Sequence, residues 1–237
     1  MEIGLDSLKK TARIAGLWYL LWTITGLYSV IYVPSKIIVR DDAVATANNI
    51  LAHEVLFRTG AISDLLSTAI TVFLVLVLYR LFEQVNERQA KLMVGLLLVQ
   101  VPAVFVMEAL NIASLLIFKG EILKTFELAQ RHDLAMFFLK INDYGTLTLE
   151  MFWGLWLFPL AILVYRSRFL PRFLGVWLII TGMYYVILSF TSLMLPQYKD
   201  IVLHSAFALP AEVGEVALML WLLIIGARPK LSKVDLK

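Results

Sequence analysis

Acidic residues lie inside the apolar stretches of this chain, where a charged side chain is costly. Asp64 lies well inside the apolar run from Glu54 to Arg80, and Arg58 lies in the first turn of the same run. A charge in the middle of a membrane segment costs roughly 2.5–3.5 kcal/mol on insertion scales, and such residues usually face a bundle interior or a cavity. We therefore take Asp64 as the reference point of a buried polar site.

The other acidic residues within apolar runs fall at comparable depths. They are Glu108, Glu150, Glu212 and Glu215. From about 1.5 Å of rise per residue, Asp64 and Glu108 lie roughly 13 and 15 Å from the outer ends of their predicted helices. The same count puts Glu150 roughly 10 Å deep and Glu212 and Glu215 roughly 6–10 Å deep. These five carboxyl groups therefore fall in the half of the bilayer away from the cytoplasm.

Five carboxyl groups with one buried arginine cannot all be ionised in a dry site, so some must be protonated or neutralised by a cation. We predict an outward-facing acidic cavity that binds or transports a cation or a small polar or cationic molecule. Its core acids are Asp64 and Glu108, and Asn111, about one turn from Glu108, orients them by hydrogen bonding. The further lining is Glu150, Glu212 and Glu215, and Arg58 acts as a gate or an anion contact.

Two other kinds of function remain open. One is an intramembrane lipid-acting hydrolase that uses a carboxyl group as general acid or base, with or without a metal. The other is a non-catalytic membrane subunit, because polar side chains also hold membrane helices together. Arg58 also has a simpler interpretation, since Glu54 precedes it by four residues and can pair with it. Whether the protein is an enzyme stays open, and a non-enzymatic role is favoured.

The three histidines, His53, His132 and His204, fall beside acidic or polar neighbours and are weak candidates for a metal site. None is paired with another histidine or a carboxylate three or four residues away on a spanning helix, and no HExxH pattern occurs. Histidines in loops at a water interface are the favoured interpretation. No phosphate-binding, dinucleotide or serine-nucleophile motif occurs either, so we expect no cofactor.

The composition identifies the class of protein that must position these groups. Of the 237 residues, 60% are hydrophobic, and the mean hydropathy is +0.82. Soluble domains are about 45–50% apolar, so the chain is predicted to be an all-α polytopic membrane protein with the lipid bilayer as its partner. The net charge of +3 is too small to indicate nucleic acid, and the absence of cysteine excludes disulfides and thiol chemistry. The oligomeric state stays open.

Apolar runs of about 20 residues suffice to span a bilayer. They predict a single domain built as a bundle of six transmembrane helices, at about 14–33, 55–80, 92–118, 144–165, 173–195 and 208–225. We expect Pro34 to end the first helix, Asp41 or Asp42 to cap a helix that leads into the second, and 81–91 to be a charged loop. One or two amphipathic interfacial helices, at 119–143 and near 41–54, lie on the non-cytoplasmic side, and 229–237 is a loose basic tail.

Basic residues set the orientation of the bundle. Of the 21 Lys and Arg residues, 13 fall at the two termini and in the two loops on the same side. Because cytoplasmic loops carry an excess of Lys and Arg, we predict a plasma-membrane protein with both termini in the cytoplasm.

A short internal echo links two of the predicted helices. The sequence TGLYSVI starts at Thr25 in the first, and TGMYYVI starts at Thr181 in the fifth, each with a proline soon after. Both helices run outward, as repeated halves of a transporter do, but seven residues are too few to establish a repeat.

The chain also resembles an uncharacterised bacterial membrane family, domain of unknown function 4386. The likeness rests on VPSKIIV at Val33–Val39, ATANNILAHEVLFRTGAISDL at Ala45–Leu65, FWGLWLFPLAILVYRS at Phe152–Ser167 and FLPRFLG at Phe169–Gly175. The resemblance covers nearly the whole chain and implies a small multi-pass protein of about this length. It implies no substrate, reaction, cofactor or catalytic residue.

Overall fold

The computed structural model describes residues 5–39, 42–198, 201–202 and 208–228, with the side chains of Leu5 and of 208–212 outside that description. The regular secondary structure of these residues is helical, without a strand. The predicted all-α class is therefore confirmed for this part of the chain. Four features of the sequence analysis lie outside it: Asp41, His204, the side chain of Glu212 and the tail 229–237.

The helices follow one another with short connections. They are α1 (Leu5–Gly26), which continues as a π-helix (Leu27–Tyr32), α2 (Val33–Ile37), α3 (Ala43–Ala52), α4 (Glu54–Leu98), α5 (Val101–Phe118), α6 (Leu128–Leu155), α7 (Leu157–Arg166), α8 (Arg172–Met194) and α9 (Ala208–Leu220), which continues as a second π-helix (Trp221–Ile225). A 3₁₀ turn, Pro196–Tyr198, follows α8.

Four helical stretches among the described residues are long and apolar enough to cross a membrane, judged by length and composition. They are Asp6–Ile37, Glu54–Phe118, Leu128–Arg166 and Arg172–Met194. The last apolar helix is shorter over its described part, Val213–Ile225. Membrane-length helices are thus present, while the count of six spans stays a prediction.

The prediction that Pro34 ends the first helix is wrong. The chain stays helical to Ile37, because the π-helical turn shifts the hydrogen-bond register just before the proline. Val33 N–H donates to the carbonyl of Tyr28, five residues back. Pro34 then occupies the first turn of α2, where the missing N–H of a proline removes no intrahelical hydrogen bond.

The predicted loop at 81–91 is also mostly helical, since its Glu, Gln, Arg and Ala residues are good helix formers. Only Asn86 leaves the helical region, with φ −164° and ψ 100°. Its side-chain oxygen accepts a hydrogen bond of 3.1 Å from Gln89 N–H. This is how an N-cap residue starts a helix, so Asn86 divides α4 into two arms.

Asp42 caps α3, as one of the two candidates predicted, by accepting the N–H of Ala45 at 2.8 Å. This helix does not run on into α4, because the backbone of His53 leaves the helical region. The predicted interfacial segment 119–143 begins in turns, and from Leu128 it is continuous with the helix that ends at Leu155. Its interfacial position stays a prediction.

The chain forms two compact units. The first comprises Met1–Leu20, Thr71–Val99 and Leu147–Lys237, and the second comprises Leu21–Ile70 and Gln100–Thr146. In the first unit, α7 packs on α8 and α8 packs on α9. The second unit has its own apolar core, which includes Val33, Ile37, Ile50, Phe57, Leu115 and Phe118.

Candidate functional site

Two carboxyl groups meet inside the second unit. Asp64 on α4 and Glu108 on α5 lie within hydrogen-bonding reach of each other. Glu108 is only 6% exposed, so little water reaches it. An ionised carboxylate can only accept hydrogen bonds. The contact therefore requires a proton or a cation between the two groups.

Amide side chains surround Glu108. Asn111 Nδ2 donates to Glu108 Oε1 at 3.0 Å, and the Asn142 side chain on α6 also hydrogen-bonds Glu108. Asn142 Nδ2 additionally approaches the carbonyl of Met107 at 3.3 Å. The second oxygen, Glu108 Oε2, is buried and accepts no hydrogen bond from an N–H or O–H of the described residues. This oxygen is where a shared proton or a bound cation would be held.

Asp64 receives its hydroxyl partner from the π-helix after α1. Ser29 Oγ donates to Asp64 Oδ1 at 3.2 Å and also lies near the carbonyl of Thr25 at 3.1 Å. At Gly26 the helix comes close to α4, because a Cβ there would lie 3.6 Å from Ser67 Oγ. Single π-helical turns inside α-helices occur frequently at functional sites. Here the turn presents Ser29 to the carboxyl pair.

A different acidic residue is held by tyrosines in the first unit. Tyr19 OH donates to Glu215 Oε1 at 2.6 Å, and Tyr185 hydrogen-bonds the same carboxyl group. The rings are fixed by other aromatic residues, Tyr19 against Trp156 and Tyr185 against Trp153. Protein donors thus satisfy Glu215, and its environment differs in kind from that of the Asp64–Glu108 pair.

The structure brings together part of the predicted set. Asp64, Glu108 and Asn111 form one cluster in the second unit, whereas Glu150 and Glu215 belong to the first. Glu150 is half-buried on α6. The side chain of Glu212 lies outside the described residues, so its place in the cavity lining stays a prediction.

Arg58 forms an ion pair with the acidic residue four positions before it in α4. Its Nε donates to Glu54 Oε1 at 2.8 Å, and Lys119 Nζ lies 3.3 Å from the same oxygen. Lys119 is also paired with Glu121 at 2.7 Å. The hydrogen bonds from Lys119 to Glu121 and Glu54 raise its pKa above the usual value for lysine. A role of Arg58 as a gate or anion contact stays a prediction.

The histidines do not assemble with acidic residues in the part of the chain that the structure describes. His53 is exposed at the end of α3, and the His132 ring lies edge-on to Phe118 at 5.7 Å. Within that part, no three His, Asp or Glu side chains form a group that could hold a metal ion.

Four residues of these clusters were missed by the sequence analysis: Ser29, Asn142, Tyr19 and Tyr185. A signal for two of them is present in the internal echo. Ser29 and Tyr185 are the fifth residues of TGLYSVI and TGMYYVI, and each contacts an acidic residue on another helix. The other two have no comparable signal in the sequence.

The all-α fold with membrane-length helices and a buried carboxyl pair places this protein in the class of α-helical membrane proteins. The family described as Domain of unknown function (DUF4386) matches residues 14–226, and the chain belongs to this family. The resemblance noted from the sequence is thereby confirmed. Comparison with curated proteins and with solved structures gives no match.

Proposed function

We propose that this protein is a multi-pass membrane protein that binds a small cation, in exchange with a proton, at the Asp64–Glu108 pair. The observation that carries the proposal is the contact between two carboxyl groups whose inner oxygen, Glu108 Oε2, accepts no other protein hydrogen bond. Two carboxylates within hydrogen-bonding reach repel each other unless a proton or a metal ion neutralises them. A proton and a cation therefore compete for one position.

The atoms around the pair favour a hard cation. Carboxylate, hydroxyl and amide oxygens are available from Asp64, Glu108, Ser29 and Asn111, and oxygen is the ligand type that hard cations take. The amide nitrogen of Asn111 faces Glu108 Oε1 in this structure. Turning that amide over would present its oxygen to a metal ion instead. The site would accordingly take one small cation in place of one proton.

We further infer six spans with both termini in the cytoplasm of a plasma-membrane protein. The stretch Glu54–Phe118 has 65 residues, which at about 1.5 Å each is more than enough for two crossings of a hydrocarbon core about 30 Å thick. Its backbone break at Asn86 supplies a point for the chain to turn back. The stretch then crosses twice, once on each side of Asn86. The other three long stretches and the helix that ends at Ile225 cross once each, which gives six crossings.

The test is thermal unfolding of the full chain in nanodiscs, titrated with Na⁺, K⁺, Mg²⁺ and Ca²⁺ at several pH values. We expect one of these ions to raise the melting temperature, with less effect as the pH falls, because protons displace it. Asp64→Asn and Glu108→Gln should each abolish the effect, whereas the control Glu215→Gln should retain it. An ion effect unchanged in both variants, or absent from the native protein at every pH, would overturn the proposal.

One observation favours a second candidate, a non-catalytic membrane subunit. The amides of Asn111 and Asn142 and the hydroxyl of Ser29 give the pair several protein hydrogen-bond donors. In that case the pair only holds helices together, and the same variants should lower the melting temperature without altering any response to ions. The lipid-acting hydrolase stays a prediction from the sequence.

A further inference from the structure

A cleft lies where the start of α1 meets the second π-helix. Its volume is about 620 Å³. One part of the lining is charged, and among the described residues it has Lys9, Lys10 and Arg13 against one acid, Asp6. The other part is apolar and consists of Ile14, Leu17 and Leu223. All of these residues belong to the first unit.

Close backbone packing fixes the walls of this cleft. Gly16 lies directly against the backbone of Leu223, where any side chain would collide. Arg13 Nη2 donates to the carbonyl of Ile224 at 3.2 Å. The second π-helix is followed by Gly226, whose φ of +73° is a conformation that glycine adopts readily. A Cβ at Gly226 would lie 3.2 Å from the carbonyl of Lys9, so the two segments are held together on both sides of Arg13.

Along α1, the lining residues change from basic to apolar, as in a helix that enters a membrane from its charged surface. The basic residues lie near the start of the long stretch Asp6–Ile37, and the apolar residues Ile14 and Leu17 follow them within it. Ile14 and Leu17 are 39% and 48% exposed, although they are apolar. Residues three and four apart lie on the same side of a helix, so Lys10, Ile14 and Leu17 form one continuous strip. A ligand along this strip meets positive charge at one end and hydrocarbon at the other.

We propose that this cleft binds an anionic phospholipid. The headgroup phosphate is held by Lys9 and Lys10, with Arg13 behind them, and the first carbons of an acyl chain lie along Ile14, Leu17 and Leu223. The excess of cations over the one acid supplies charge complementarity, since basic side chains near a membrane attract anionic lipid by about 1 kcal/mol each. A free phosphate ion would leave the apolar wall uncovered, so the lipid is the better fit.

The test uses the full chain in a neutral detergent, with bound lipid measured by native mass spectrometry. Phosphatidylglycerol is compared with phosphatidylcholine of identical chains and with inorganic phosphate. We expect tighter binding of phosphatidylglycerol, and the double variant Lys9→Gln/Lys10→Gln should weaken it roughly 10–30-fold. Leu17→Asn, which changes no charge, should also weaken it. Inorganic phosphate should not compete at equal concentration.

A matched control separates this cleft from a general attraction of anionic lipid to positive charge. Arg80→Gln/Arg88→Gln removes the same number of exposed cations elsewhere in the chain and should leave binding unchanged. Equal losses in the two double variants would overturn the proposal, as would equal binding of both lipids or competition by inorganic phosphate. Melting temperatures in phosphatidylcholine nanodiscs identify any variant that fails to fold, and in that case Lys9→Gln alone is compared with Arg88→Gln alone.

Discussion

Ser29 Oγ lies 3.2 Å from Asp64 Oδ1, and it reaches that carboxyl group from a π-helical turn. Tyr185 takes the same place in the echoed sequence of α8 and hydrogen-bonds Glu215. Thr25 and Thr181, which begin the two echoes, each donate to the carbonyl four residues back. The likeness between the two helices thus extends from sequence to contacts. Each presents a hydroxyl, five positions into the motif, to an acidic residue within its own unit.

Replacing Ser29 tests the contribution of this hydroxyl. Ser29→Ala removes the donor to Asp64 and should lower the free energy of unfolding by about 0.6 kcal/mol, the average for hydrogen bonds between membrane helices. It should also shift the cation titration, because the pair loses a polar neighbour. Ser35→Ala is the control, since Ser35 is exposed and its hydroxyl donates to the carbonyl of Tyr32, three residues back. Equal effects of the two variants in both measurements would contradict this role for Ser29.

The carboxyl pair predicts a large difference between two replacements of one residue. Asp64→Asn keeps a donor that can hydrogen-bond Glu108, so it should preserve the fold. Asp64→Ala leaves Glu108 without its hydrogen-bond partner and should destabilise the protein by about 1–3 kcal/mol, the cost of a buried polar group left unsatisfied. Reversible unfolding of both variants in the same detergent compares them. Similar losses for alanine and asparagine would mean that no proton or hydrogen bond joins the two groups.

The sequence predicted Asp64 with Glu108 and Asn111 because depth can be counted along regular helices, and 1.5 Å per residue holds for α4 and α5. Ser29 was not predicted, since the π-helical turn changes which side chains face a neighbouring helix, and no residue pattern indicates that turn. Asn142 was missed because its segment alternates charged and apolar residues, which indicated an interfacial helix. Pro34 was assigned from a local preference that the continuing helix overrides. The 81–91 segment was assigned as a loop from its charge, although its Glu, Gln, Arg and Ala residues favour a helix.

The two tyrosines on Glu215 should act together. Tyr19→Phe and Tyr185→Phe each remove one hydroxyl donor and should each cost about 0.6–1.7 kcal/mol of unfolding free energy. Because both donate to one carboxyl group, the double variant should differ from the sum of the single effects by at least about 0.5 kcal/mol. Tyr198→Phe, at an exposed position, is the control. Strict additivity across this cycle would indicate that the two hydroxyls do not share Glu215.

Close packing of α6 on α8 gives the last prediction. A Cβ at Gly154 would lie 2.5 Å from the carbonyl of Gly182, and one at Gly182 would lie 2.9 Å from the carbonyl of Gly154. Small residues let membrane helices approach each other in this way. Gly154→Ala should therefore force the helices apart and cost about 1–3 kcal/mol of unfolding free energy, as other overpacked substitutions do.

Gly95 offers the matched control, because nothing lies within 4 Å of a Cβ placed there. Gly95→Ala should be neutral or should stabilise the protein by up to about 1 kcal/mol, since alanine is the better helix former. Thermal unfolding of the two alanine variants in the same nanodiscs compares a crowded glycine with an uncrowded one. If Gly154→Ala were as stable as Gly95→Ala, the approach of α6 to α8 would have to be looser than the backbone positions indicate. The glycine of the second echo would then have no packing role.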